Sequence, residues 1–157
     1  MRAEIGEVYE SATTPRRALE KAKGQRLSLR RAIDDFEAVL VAAPGGETAE
    51  RFRPTLDHLR VVFAVHVEVT EAAGGLYEEI LEIAPRLANR IDRLKREHQM
   101  ITGEIRTALD GLPASGARPD RELHAELERL YTVLSRHRTR GLDLVYEAYQ
   151  VDIGGES

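Results

Sequence analysis

Apolar residues recur along most of this chain at steps of three and four, the spacing of one face of a helix. Ser28 has the chemistry of an N-cap, and Leu29, Ile33, Phe36 and Leu40 follow it at helical spacing. The run Ala43-Pro44-Gly45-Gly46 ends that helix. Pro15 suits a first-turn position and allows an earlier start, although Gly24 interrupts the pattern. Residues 1–14 show no sustained period and are expected to form an N-terminal arm, loose or weakly docked.

A second stripe starts after Pro54, which fits a first turn, and runs through Leu56, Leu59, Val62, Phe63, His66, Val69, Ala73, Leu76 and Ile80. It is far too long for a strand, despite its many valines. Gly74-Gly75 lies inside it and predicts a kink or a close helix contact. Pro85 opens a third helix with Leu87, Ile91, Leu94, His98, Ile101, Ile105 and Leu109 on one face. The segment 110–119 holds two prolines and two glycines and reads as a loop. The fourth helix starts near Asp120, carries Leu123, Leu127, Leu130, Leu134, His137, Gly141, Leu144 and Ala148, and stops at Gly154-Gly155. Four amphipathic helices with short connections are joined most economically as an antiparallel up-down bundle, here over residues 15–157. The expected fold class is therefore all-α.

Composition narrows the chemistry. The chain has 157 residues, enough for one domain, and a formal net charge of −4. Without a basic surplus, nucleic acid is not an expected partner. No stretch approaches the roughly 20 apolar residues of a membrane span. The first 14 residues carry Glu4, Glu7 and Glu10 and no apolar signal core, so a cytoplasmic location is expected. Cysteine is absent, which removes disulfides, thiol catalysis and thiolate metal sites. No phosphate loop, nucleophile with an oriented base, or inward carboxylate pair is visible, so the chain does not read as an enzyme.

Three of the five histidines stand out. His66, His98 and His137 each replace an apolar residue near the middle of a stripe. In an antiparallel bundle, mid-helix positions share a layer, so three imidazoles are expected to meet in the core. Crowded there, they must share protons, hold water or bind a metal. His58 and His124 fall beside their stripes and are expected at the surface or boundary.

Leu94-x-x-Glu97-His98-x-x-Ile101, His66 followed by Glu71, Gly74-Gly75 and Pro85, and His137 in the last helix together resemble the hemerythrin-like, or HHE cation-binding, family. The similarity runs from about Leu29 to Gly155. It implies a four-helix bundle that holds iron and binds or senses iron or oxygen, with His66, His98 and His137 at three of five histidine positions. The family's first-helix histidine aligns with Ile33, and Thr70 and Thr102 stand where further ligands are expected. Residues four positions on from each histidine keep its face, rotated by about 40°, and these are Thr70, Thr102 and Gly141. Glu71 is rotated about 140° from His66, and Asp143 about 120° from His137, so both need a distorted helix to reach a shared centre. The resemblance thus implies an incomplete or altered cation site, with His66, His98, His137 and Glu71 as candidate ligands and iron, or less readily zinc, as the ion. The alternative is a bundle that binds no metal and serves as an interaction or scaffold protein, meeting a protein partner or another copy of itself. Residues 146–153 are the candidate contact surface, or else they pack across the end of the bundle.

Overall fold

A computed structural model of the chain describes residues 2–42, 48–114 and 116–154, with side chains described for 17–42, 48–114 and 116–150. All regular structure among the described residues is helical. The elements are α1 (Arg2–Val41), α2 (Ala49–Glu71), α3 (Leu76–Ile83), a 3-10 turn (Pro85–Leu87), α4 (Ala88–Gly111) and α5 (Arg121–Gly154). Four of these helices are long. α1 packs on α2, α2 on α4, α4 on α5 and α5 on α1, so the four close into a ring of neighbours. No helix among the described residues is long and apolar enough to cross a membrane.

Several helix ends differ from the sequence reading. The backbone of α1 is helical from Arg2 and runs through Pro15 and Gly24, so the arm and the first helix share one helical register. The packing of the arm lies outside the described side chains. Ser28 is not a cap: its hydroxyl bonds back to the Gly24 carbonyl at 3.5 Å, in mid-helix. The expected terminator at 43–46 lies outside the described residues. α2 begins at Ala49, five residues before Pro54, which sits inside the helix. Thr48 occupies the N-cap without a side-chain bond. The Ala49 N–H instead donates to the Ala117 carbonyl at 2.9 Å, tying the start of α2 to the connection before α5. Asp120 caps α5 as its position suggested, accepting from the Leu123 N–H at 2.8 Å.

The long second stripe is divided. α2 stops at Glu71, Gly74 takes φ +75, and Gly75 is the N-cap of α3. A Cβ on Gly75 would stand 2.7 Å from the Ala72 oxygen and 2.8 Å from the Val69 oxygen, so only glycine lets the chain fold back this tightly. The Gly74 N–H donates to Glu78 Oε2 at 2.8 Å and secures the start of α3.

Two apolar clusters form the core. One joins Leu29, Ile33 and Phe36 of α1, Phe52, Leu56 and Phe63 of α2, Ile101 and Ile105 of α4, and Leu127 and Leu134 of α5. The other joins Ala22, Leu76, Tyr77, Ile80, Leu87, Ile91, Leu94, Leu144 and Ala148. Each fully buried Leu, Ile or Phe contributes about 1.5–3 kcal/mol. Along every long helix, the residues that separate the clusters include a buried polar side chain: Gln25, His66, Glu97 with His98, and His137.

Candidate metal centre

The helical spacing that fills the apolar clusters also turns the three histidines inward. Their relative exposures are 8%, 1% and 2% for His66, His98 and His137. Ring centroids are 5.0 Å apart for His66 and His98, 5.4 Å for His66 and His137, and 4.7 Å for His98 and His137. Phe63, one turn before His66, lies 5.5–5.8 Å from all three rings and forms an apolar wall. One ligating nitrogen from each histidine can be chosen so that all lie within 4.8 Å of one another.

The outer hydrogen bonds fix which ring nitrogen carries each proton. The carbonyl of Val62 can only accept, and Gln25 Nε2 donates to it at 3.2 Å. That turns Gln25 Oε1, also an acceptor, toward His66 Nδ1 at 2.9 Å. His66 must therefore carry its proton on Nδ1. His98 Nδ1 meets Glu71 Oε2 at 2.6 Å, and His137 Nδ1 meets Glu97 Oε2 at 2.9 Å. Both carboxylates accept, so these rings hold Nδ1 protons too. Arg140 donates to the other oxygen of Glu97 and pins it. In each neutral ring Nε2 is left without a proton, as an acceptor, and that of His98 has the Tyr77 hydroxyl as a donor at 3.3 Å. His66 Nε2 and His137 Nε2 face each other at 3.3 Å.

Electrostatics keep the rings neutral. Burial pushes all three imidazoles below the usual histidine range. His98 falls to about 3, through burial and then the neighbouring His137. His66 is lowered by burial, then by His98, His137 and Arg26. For His137, burial outweighs the opposing pull of Glu97, and Arg140 acts with burial. Neutral imidazole is the form that ligates a metal ion.

Tyr77, the second residue of α3, reaches the layer from one side. Its hydroxyl is 3.3 Å from His98 Nε2, and its ring stacks on His98 at an interplanar angle of 11°. Glu71 comes to the layer through the Nδ1 side of His98, away from the Nε2 atoms. Thr70 bonds back to the His66 carbonyl at 2.8 Å. Thr102 is exposed. Asp143 is exposed and borders a surface cavity with Arg90, Arg93 and Arg140. Ile33 is not the α1 residue of this layer: Gln25 is, and Ile33 lies eight residues further on, about 12 Å along the helix, in the apolar cluster. His58 is exposed, and His124 is half-buried with Nε2 3.1 Å from Glu128. Tyr146 is 68% exposed; the side chains of Val151, Asp152 and Ile153 lie outside the described residues.

The sequence reading did not find Gln25, Glu97 or Arg140 as partners of the histidines. Glu97 precedes His98 and is rotated about 100° from it, which aims it at α5. A buried-stripe position filled by glutamine, next to the glycine that seemed to interrupt α1, was the available signal for Gln25. Comparison with protein-family models, curated proteins and solved structures finds no match to this chain.

Proposed function

We infer that the chain is a cation-binding domain of the hemerythrin-like kind, folded as an antiparallel up-down bundle, with one divalent transition-metal ion held by His66 Nε2, His98 Nε2 and His137 Nε2. The observation that carries this reading is the His66–His137 pair. Two bare lone pairs at 3.3 Å repel unless an electrophile lies between them. A proton could serve, but burial opposes imidazolium formation at both rings. A metal ion fits the spacing. Imidazole–zinc bonds of about 2.0–2.1 Å at the tetrahedral angle put ligand atoms about 3.3–3.4 Å apart.

The outer contacts support the same reading. Metal-bound histidines commonly donate their second N–H to a carboxylate or another oxygen, which orients the ring and raises its basicity. Here each of the three does so, to Gln25, Glu71 and Glu97. Glu71 thus acts as a positioning residue for His98. No carboxylate joins the three-histidine group among the described residues, which favours one ion over a carboxylate-bridged pair. All-nitrogen donors suit iron(II) and zinc(II) alike. Iron is the ion that the family resemblance favours, with iron binding or sensing as the role.

The antiparallel arrangement is supported by which helix ends share a cluster. The end of α1, the start of α2, the end of α4 and the start of α5 meet in one, through Phe36, Phe52, Ile105 and Leu127. The middle of α1, the end of α2, the start of α4 and the later half of α5 meet in the other, through Ala22, Leu94 and Leu144 with Val69 packed against them. A metal-free scaffold would leave the facing lone pairs without an electrophile. Loading the full chain anaerobically with Fe(II) or Zn(II) tests the reading: about one equivalent is expected, and none when all three histidines are replaced by leucine. An unchanged uptake in that variant would defeat it.

A further inference from the structure

The histidine layer offers three nitrogen ligands, and a tetrahedral ion needs a fourth donor. The described residues place one oxygen in contact with a ligating Nε2. It belongs to Tyr77, 4% exposed, with its hydroxyl 3.3 Å from His98 Nε2. That separation equals the 3.3 Å between His66 Nε2 and His137 Nε2. Each of the two has the length of one tetrahedral edge at bonds of about 2.0–2.1 Å, about 3.3–3.4 Å, and the three histidine nitrogens lie within 4.8 Å of one another.

We propose that Tyr77 Oη is the fourth ligand of the metal, as a phenolate, so that the complete centre is three histidines and one tyrosine. This rests on the three-histidine reading and adds to it a ligand from α3. On binding, the Tyr77 O–H bond breaks, the oxygen lone pair forms the bond to the cation, and the proton passes to solvent. The three imidazoles arrive neutral and release none. A divalent ion stabilises the phenolate, as cations do for the groups they bind. One phenolate also gives an otherwise neutral ligand set an anionic member.

The local fold is built to deliver this residue. Tyr77 lies just beyond the glycine break, and a continuous α2 would carry it along a different path. Its hydroxyl also hydrogen-bonds with Thr70, whose own hydroxyl lies 2.8 Å from the His66 carbonyl.

The test is a Zn(II) titration of the full chain and of Tyr77→Phe, which keeps the ring. Metal per chain is read by elemental analysis, and phenol ionisation by ultraviolet difference absorption. The wild type is expected to bind one Zn(II) and to develop the difference band of one tyrosinate. Tyr77→Phe is expected to lose that band and to bind one Zn(II) about tenfold more weakly or worse. One Zn(II) in the wild type with no tyrosinate band overturns the tyrosine ligand and leaves the three-histidine site standing. A band that survives in Tyr77→Phe overturns it as well. No uptake by the wild type removes the three-histidine site and this ligand with it. Circular dichroism of Tyr77→Phe separates ligand loss from misfolding, and a folded variant with wild-type affinity also overturns the proposal.

Discussion

Gln25 on α1 holds His66 on α2 in a single tautomer. The amide is anchored by its donated bond to the Val62 carbonyl, and its oxygen accepts from His66 Nδ1 at 2.9 Å. A residue 41 positions away in the chain thereby leaves the His66 Nε2 lone pair exposed to the centre of the bundle.

Removing that anchor should weaken metal binding without removing a ligand. Gln25→Leu fills the same space but cannot accept the Nδ1 proton. Affinity for Zn(II) is expected to fall about 10- to 100-fold at unchanged stoichiometry. Calorimetric titration of the purified variant checks this. An unchanged affinity would mean that the tautomer of His66 is set elsewhere.

Glu71 provides a sharper distinction. If it positions His98 through Nδ1, then Glu71→Gln retains an oxygen acceptor and one metal per chain, with affinity reduced about tenfold. If it is itself a ligand, metal uptake should collapse. Elemental analysis after desalting separates the two.

The metal-free protein should lose stability as the solution is acidified. Unfolded histidine titrates near 6.5, whereas His98 is held down to about 3 and His66 and His137 are also lowered. Below about pH 6.5 the unfolded chain therefore takes up protons that the folded chain refuses. This part of the stability is fully present above pH 6.5 and drains away toward pH 3. Thermal melts at pH 7, 5.5 and 4.5 should show Tm falling more steeply for the wild type than for a variant with leucine at all three positions. Parallel curves would show that the histidines are protonated in the fold.

Gly75→Ala should damage the break between α2 and α3. The added Cβ meets two backbone oxygens at 2.7 and 2.8 Å, which no side-chain rotation relieves. A loss of about 1–3 kcal/mol is expected in urea unfolding. Tyr77 sits two residues further on, so Zn(II) affinity should fall as well.

The three histidines were legible because each occupies an apolar position of a strict stripe. Spacing alone therefore gave the direction of each side chain. The helical class was legible for the same reason, as was the start of α5 at Asp120, whose side chain makes the capping bond. The split of the second stripe was legible only as a kink or close contact at Gly74-Gly75, because Val69, Ala73, Leu76 and Ile80 keep helical spacing across the break; φ at Gly74 and the crowding at Gly75 show that the helix ends there. The partners of the histidines were hidden for a different reason. Gln25, Glu71 and Glu97 reach histidines 41, 27 and 40 positions away, so their roles depend on which helices become neighbours and in what register. Glu71 looked like a poor ligand from its rotation relative to His66, and that rotation is what turns it toward His98 on α4.

The central claim is that His66, His98 and His137 form one metal site, and metal content measures it most directly. Tag-free protein loaded anaerobically with Fe(II) or Zn(II) and then desalted should retain one ion per chain, while the variant with leucine at all three positions should retain none and remain helical. Two ions per chain, or none under either metal, would contradict the account.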